Sequence, residues 1–139
     1  MEVNKECLFA NSRLLTQRFG EWPSFHDAEI LRLELIRDSG VSLRMEVYLF
    51  TRSSEVDEHG RFRHEKPSIV TLQFDGLQDL SLAEFNEQNV LGELVCSRLN
   101  DNRLQVELYS LYGLGGQFTC SEAQVLQVRT DLPEPTRAN

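Results

Sequence analysis

Apolar and polar side chains alternate with a period of two along most of the chain. Leu31, Leu33 and Leu35 alternate with Arg32 and Glu34. Beyond the turn Asp38-Ser39-Gly40, the positions Val41, Leu43, Met45, Val47 and Leu49 alternate with Ser42, Arg44 and Glu46. Neighbouring side chains on a strand point to opposite faces, so each run offers one apolar face, and together they predict an antiparallel hairpin. Residues 69–74 and 77–82 flank Asp75-Gly76, a sequence suited to a two-residue hairpin turn. Residues 94–99 and 104–111 flank Asn100-Asp101-Asn102 and predict a third hairpin. A last strand covers 118–128, after a bend marked by Gly113, Gly115 and Gly116.

The period lapses in three places. Residues 52–66 are polar and mixed in charge and read as a loop. Residues 85–91, rich in Asn and Gln, read as a break with one helical turn at most. Near the start, Asn11 or Ser12 can cap a short helix through Arg18, with Leu14, Leu15 and Phe19 as its apolar positions; Gly20 ends it and Pro23 holds Trp22 extended. The expected fold is mainly β (α+β): an antiparallel sheet of six to eight strands built from consecutive hairpins, with one short N-terminal helix. Parallel strands would need long crossovers that the spacing does not provide. The 139 residues suit one domain, taken as 1–132, with a frayed tail over 133–139.

Composition narrows the class. The formal net charge of −8 argues against a nucleic-acid binder, which needs Lys and Arg at phosphates, and permits a basic protein partner. Cys7, Cys96 and Cys120 are odd in number and form no C-x-x-C pair, so they read as reduced thiols in a cytoplasmic protein. No apolar run approaches the roughly 20 residues of a membrane helix, and the first residues lack the layout of a signal peptide.

Candidate chemistry is sparse. His26-Asp27 resembles half of a metal-dependent hydrolytic site, but only His59 and His64 remain to complete one, and adjacent strand residues need not meet. Their spacing does not fit one helical face, and a zinc site needs three or four convergent ligands. No cysteine has a histidine beside it to lower its pKa, and Gly113-Leu114-Gly115-Gly116-Gln117-Phe118 departs from a dinucleotide loop at its sixth position. These residues point to no catalytic site, no metal and no cofactor. The segment 67–97 holds Asp75, Asp79, Glu84, Glu87 and Glu93 and contains no Lys or Arg, which suggests one acidic face able to steer a cationic partner. Tyr109 and Tyr112, near the glycine-rich bend, are candidate anchors for a partner.

The string Gly20-Glu21-Trp22-Pro23-Ser24-Phe25-His26-Asp27-Ala28-Glu29 resembles the signature of the immunity protein 50 family. Three later pieces resemble the family pattern more weakly: Val70-Thr71-Leu72-Gln73-Phe74-Asp75-Gly76, Phe85-Asn86-Glu87-Gln88-Asn89-Val90-Leu91, and the region from Tyr112 to Cys120. The resemblance implies a mainly β immunity protein of a bacterial polymorphic toxin system, which protects the producing cell by binding the toxin encoded beside it. It carries no family-wide catalytic residues, and Trp22, Pro23, Phe25, His26 and Asp27 fit a folding signature as well as a functional one. A toxin that is a nuclease would present a basic groove for acidic residues to fill. The alternatives are a small metal-dependent hydrolytic enzyme using His26 and Asp27, and a ligand-binding or structural β module. The toxin's identity, the contact surface and the oligomeric state stay open.

Overall fold

The computed structural model describes residues 8–56, 58–60 and 62–132, without the side chains of 53–56 and 62–64. Cys7 and the tail 133–139 therefore lie outside the described residues. The elements in chain order are β1 (Phe9–Ala10), α1 (Arg13–Phe19), β2 (Glu29–Arg37), β3 (Val41–Val56), β4 (Phe62–Asp75), β5 (Gln78–Ala83), β6 (Val90–Arg98), β7 (Leu104–Tyr112), β8 (Gly115–Cys120) and β9 (Glu122–Arg129). Hydrogen bonds link the strands in the order β1-β9-β4-β3-β2-β6-β7-β8-β5. All neighbours are antiparallel except β1 and β9.

The fold is mainly β, as the alternation requires, but the sheet does not lie flat. Between β2 and β6 there is a single paired position, Glu29 with Val90. There the sheet folds over, giving a half of β1-β9-β4-β3-β2 and a half of β6-β7-β8-β5 whose apolar sides meet. Leu43, Met45, Val47 and Leu49 on β3 and Val70, Leu72 and Phe74 on β4 face Leu94 and Cys96 on β6, Val106 on β7 and Phe118 on β8. All are buried in one continuous cluster. Phe74 and Phe118 stand edge-on across the interface, with ring centroids 5.0 Å apart and planes at 71°, a favoured aromatic geometry. Helix α1, too short to be stable alone, is held by burial of Leu15 and Phe19 and closes at Gly20, whose φ of 86° is left-handed.

Four expectations need correction. Residues 52–66 are not a loop: β3 and β4 continue as a paired arm, with Thr51 opposite Glu65, Arg52 opposite His64 and Val56 opposite Phe62. The arm runs past Leu49, the last fully buried residue among the described side chains of β3, and the sequence there no longer keeps a period of two. Asp75-Gly76 does not turn a hairpin. Strand β4 pairs with β3 and β9, and β5 pairs with β8, so these residues carry the chain from one half to the other. The 118–128 segment likewise breaks at Ser121 into β8 and β9, which, with β1, makes nine strands among the described residues against the six to eight expected.

These two crossings lie side by side: Ser121 N donates to Asp75 O at 2.8 Å, and Ser121 Oγ does so at 3.0 Å. A Cβ on Gly76 would overlap the Ser121 hydroxyl, and Gly76 has a φ of 67°, so only glycine fits the corner. Finally, no helical turn forms over 84–89. Buried Asn89 organises that segment: its Oδ1 accepts from Asn86 N at 2.8 Å and Leu114 N at 3.0 Å, and its Nδ2 donates to Asn86 O at 2.8 Å.

Removing the ring that joins the halves should cost much of the fold's stability. Phe118→Ala deletes a fully buried aromatic and leaves a cavity, with an expected loss of about 3–5 kcal/mol in urea denaturation. A loss below about 1 kcal/mol would show that the two halves do not depend on this contact.

Candidate functional site

The Trp22–Asp27 motif sits where the sheet folds over. Trp22 packs between Phe9 and Phe25, with ring centroids 4.9 and 5.9 Å away. Pro23 and Phe25 are buried. The Trp22 indole N–H is buried without a hydrogen-bond partner among the described residues. Asp27 takes a left-handed backbone, φ 69°, which Asp tolerates better than most residues. In that conformation Asp27 N donates to Leu91 O, Leu91 N to Ala28 O, and Ile30 N to Asn89 O, each at 2.8 Å. The motif thus ties the start of β2 to β6 through backbone hydrogen bonds.

The polar side chains of the motif serve the same junction. The Asp27 carboxylate is bonded by the Arg52 guanidinium of β3. His26 is largely exposed; its Nδ1 lies 3.0 Å from Gly92 O, and its Nε2 lies 3.6 Å from Asp27 Oδ1. The two side chains do meet, across a shallow hollow of about 330 Å³ lined by Phe19, Pro23, Phe50 and Arg52 among others. Among the described residues, however, no three His, Cys, Asp or Glu side chains come together in a way that could hold a metal ion. His59 lies in the exposed turn beyond the arm, paired with its neighbour Glu58 at 3.7 Å, and the side chain of His64 lies outside the described ones. Cys96 and Cys120 are buried. Burial above all, with Cys96 nearby, pushes the Cys120 thiol up to about 12, so it is a poor nucleophile.

The acidic candidates separate. Asp75 is committed to the corner: its carboxylate accepts from Ser42 Oγ at 2.7 Å, Gln73 Nε2 at 2.9 Å and Gln124 Nε2 at 3.1 Å. Burial raises its pKa, but these bonds and the Arg44 charge outweigh burial and leave it below the ordinary value. Asp79 on β5 lies within 3.4 Å of Thr119 Oγ1. Glu84 and Glu87 are exposed on the segment leading to β6.

Glu93 and Tyr109 are brought together, opposite each other on β6 and β7. Glu107, which sequence inspection did not single out, joins them by accepting from the Tyr109 hydroxyl at 2.5 Å. That bond first, then the charges of Glu107 and Glu93, raise the Tyr109 pKa. Tyr112 is 60% exposed at the end of β7, and Leu111 beside it is 56% exposed.

The outward faces of the two halves therefore differ. On β2, β3 and β9, Arg32 lies 3.8 Å from Glu46, Arg44 lies 3.9 Å from Glu34, and Arg129 lies 3.3 Å from Glu46. That face neutralises itself. Between Gly76 and Ser121, by contrast, six acids (Asp79, Glu84, Glu87, Glu93, Asp101 and Glu107) accompany only two basic residues, Arg98 and Arg103. Both arginines are engaged at the β6–β7 end, Arg98 with Asn102 O at 3.1 Å and Arg103 with Gly76 O at 2.7 Å. Arg52, like Glu107, is a residue that sequence alone does not single out; it lies in a stretch whose polar pattern resembles a loop, and only the strand pairing brings it to Asp27.

Residues 11–130 match the family described as Immunity protein 50. No curated protein and no solved structure matches the chain.

Two substitutions separate structural roles from others. Asp27→Ala loses the Arg52 pair and places Cβ in a left-handed backbone without polar compensation, so it should destabilise by about 1–2 kcal/mol. Asp27→Gly, which relaxes the backbone, should lose less; equal losses in denaturant titrations would contradict a backbone role. Asp75→Asn tests the corner through pH. A carboxyl with a depressed folded-state pKa contributes stability above its unfolded value, and that contribution disappears as pH falls through the folded one. The stability gap between the two proteins should be full at pH 7 and shrink below about pH 4. A gap independent of pH would mean that the Asp75 charge does not matter.

Proposed function

The chain belongs to the immunity protein 50 family and acts as a non-catalytic immunity protein against a cognate toxin; from that premise we propose that it meets the toxin with the outward face of β6–β8. The Asp79, Glu84 and Glu87 border would supply much of the attraction. The single observation that carries this reading is the difference between the two faces. The β2-β3-β9 face spends its charges on itself, whereas between Gly76 and Ser121 six acids accompany two arginines that are already engaged. An uncompensated acidic field accelerates encounter with a basic partner.

Tyr109, Leu111 and Tyr112 give the face an exposed aromatic and aliphatic centre. Such groups anchor interfaces more strongly than peripheral charges do. Held by Glu107, the Tyr109 ring is ordered before binding, which lowers the entropy cost of association. The partner that fits is a toxin with a basic surface, such as the substrate groove of a nuclease. The immunity protein would block that groove as a rigid plug. The Trp22–Asp27 motif then has a supporting role, fixing the start of β6 and so the position of Glu93.

Replacing Asp79, Glu87 and Glu93 together by Lys should slow association with the cognate toxin by about tenfold or more at low salt, and the deficit should narrow as salt rises. Stopped-flow association across a salt series measures it. Rates that match the unaltered protein at every salt concentration would remove the acidic face from the account.

A further inference from the structure

The two halves leave a slot between β2 and β5. Strand β2 pairs with β3 along one edge, but along the other it meets β6 only at Glu29. Beyond that point, through Arg37, this edge has no strand beside it among the described residues. Strand β5 pairs with β8 along one edge and has no strand along the other among the described residues.

The two free edges run in opposite directions past one another and are tied at both ends. Near the far end of β2, Leu77 N, just before β5, donates to Val41 O at 2.9 Å. Near its start, Ile30 N donates to Asn89 O at 2.8 Å, after β5 has passed. Between these ties lies an apolar groove of about 690 Å³, floored by Leu33, Leu43 and Leu82. Leu35, Leu80 and Phe85 line it while 59%, 38% and 52% exposed. Unpaired backbone edges beside alternating apolar pockets are the features by which a sheet accepts an additional strand.

We propose that this groove receives an extended segment of the toxin, which adds a strand along β2 or β5 and places alternate apolar side chains among Leu35, Leu80 and Phe85. This deepens, and rests on, the reading of the chain as a toxin-binding immunity protein. The charges choose the occupant. Among the described residues Glu84 is the one charged residue lining the groove, and Asp79 and Glu87 lie on either side of it in sequence with no Lys or Arg between residues 67 and 97. A second copy of this chain would bring another net charge of −8 against the first, whereas a segment whose apolar positions are flanked by Lys or Arg is attracted. The groove adjoins the acidic face through Glu84 and Glu87, so one partner can cover both.

The test is hydrogen–deuterium exchange on the full chain, alone and bound to a catalytically inactivated form of the toxin domain encoded beside its gene. Amides of residues 32–37 or 78–83 should exchange at least about tenfold more slowly in the complex, as newly bonded strand edges do. Leu35→Asp and Leu80→Asp, both at exposed positions, should each weaken binding by about tenfold or more. A complex that forms while both segments exchange at their free rates overturns the groove and leaves the immunity reading intact. Slow exchange of the same amides in the toxin-free chain, with a dimer in sedimentation, would make a second copy the occupant and also overturn the proposal. Failure to form any complex would remove both readings.

Discussion

Phe74 against Phe118 is the contact on which the architecture turns. Strands β4 and β8 stand far apart in the order of the sheet, so their rings can meet only if the sheet doubles over. A single antiparallel sheet of this length would leave one apolar face in water. Folding it onto itself buries that face, and the apolar area removed from water drives the arrangement. The other special features serve this fold-over: the lone pair at Glu29 and Val90, the two crossings that share the Asp75–Ser121 hydrogen bonds, and the glycine at position 76 where no side chain fits.

The fold-over also decides how charge is displayed. Each half has one buried face and one wet face. On β2, β3 and β9 the wet face pairs its arginines and glutamates across neighbouring strands, where opposite charges stabilise a sheet modestly. The wet face of β6–β8 carries Glu93 and Glu107 around Tyr109, and among the described residues neither glutamate is ion-paired to the arginines of β2, β3 and β9. One side of the molecule is therefore electrically quiet and the other acidic. Under the proposed mode of binding this asymmetry suits the task, because blocking a toxin asks for a rigid, complementary surface rather than a reactive group. Cys96 and Cys120 are buried, Asp75 is hydrogen-bonded within the corner, and Asp27 is paired with Arg52.

The Trp22–Asp27 string gains a physical meaning from this geometry. Trp22, Pro23 and Phe25 pack into the junction, while Asp27 holds a left-handed backbone that lets consecutive hydrogen bonds join β2 to β6. A string of this kind looks like a catalytic motif because it mixes aromatic, histidine and carboxylate residues. Here the same residues meet a demanding backbone, with Asp27 at a φ of 69°.

Alternation along the chain was enough to read a mainly β protein, the β2–β3 hairpin and the β6–β7 hairpin, because each depends on neighbours in sequence and on a period that one buried face imposes. The glycine closing α1 and the lack of basic residues over 67–97 were equally plain. Which strands pair across long distances was not. Asp75-Gly76 and Ser121 lie within patterns that a hairpin or a continuous strand would satisfy locally, and burial of the two halves' apolar faces against each other, Phe74 against Phe118 among them, turns them into crossings. Nor could the sequence place Arg52 at Asp27, Glu107 at Tyr109, or Leu35 across a groove from Leu80. Those neighbours are set by the register and curvature of the folded sheet, which arise from packing the whole chain at once and leave no periodic trace in any short stretch of it.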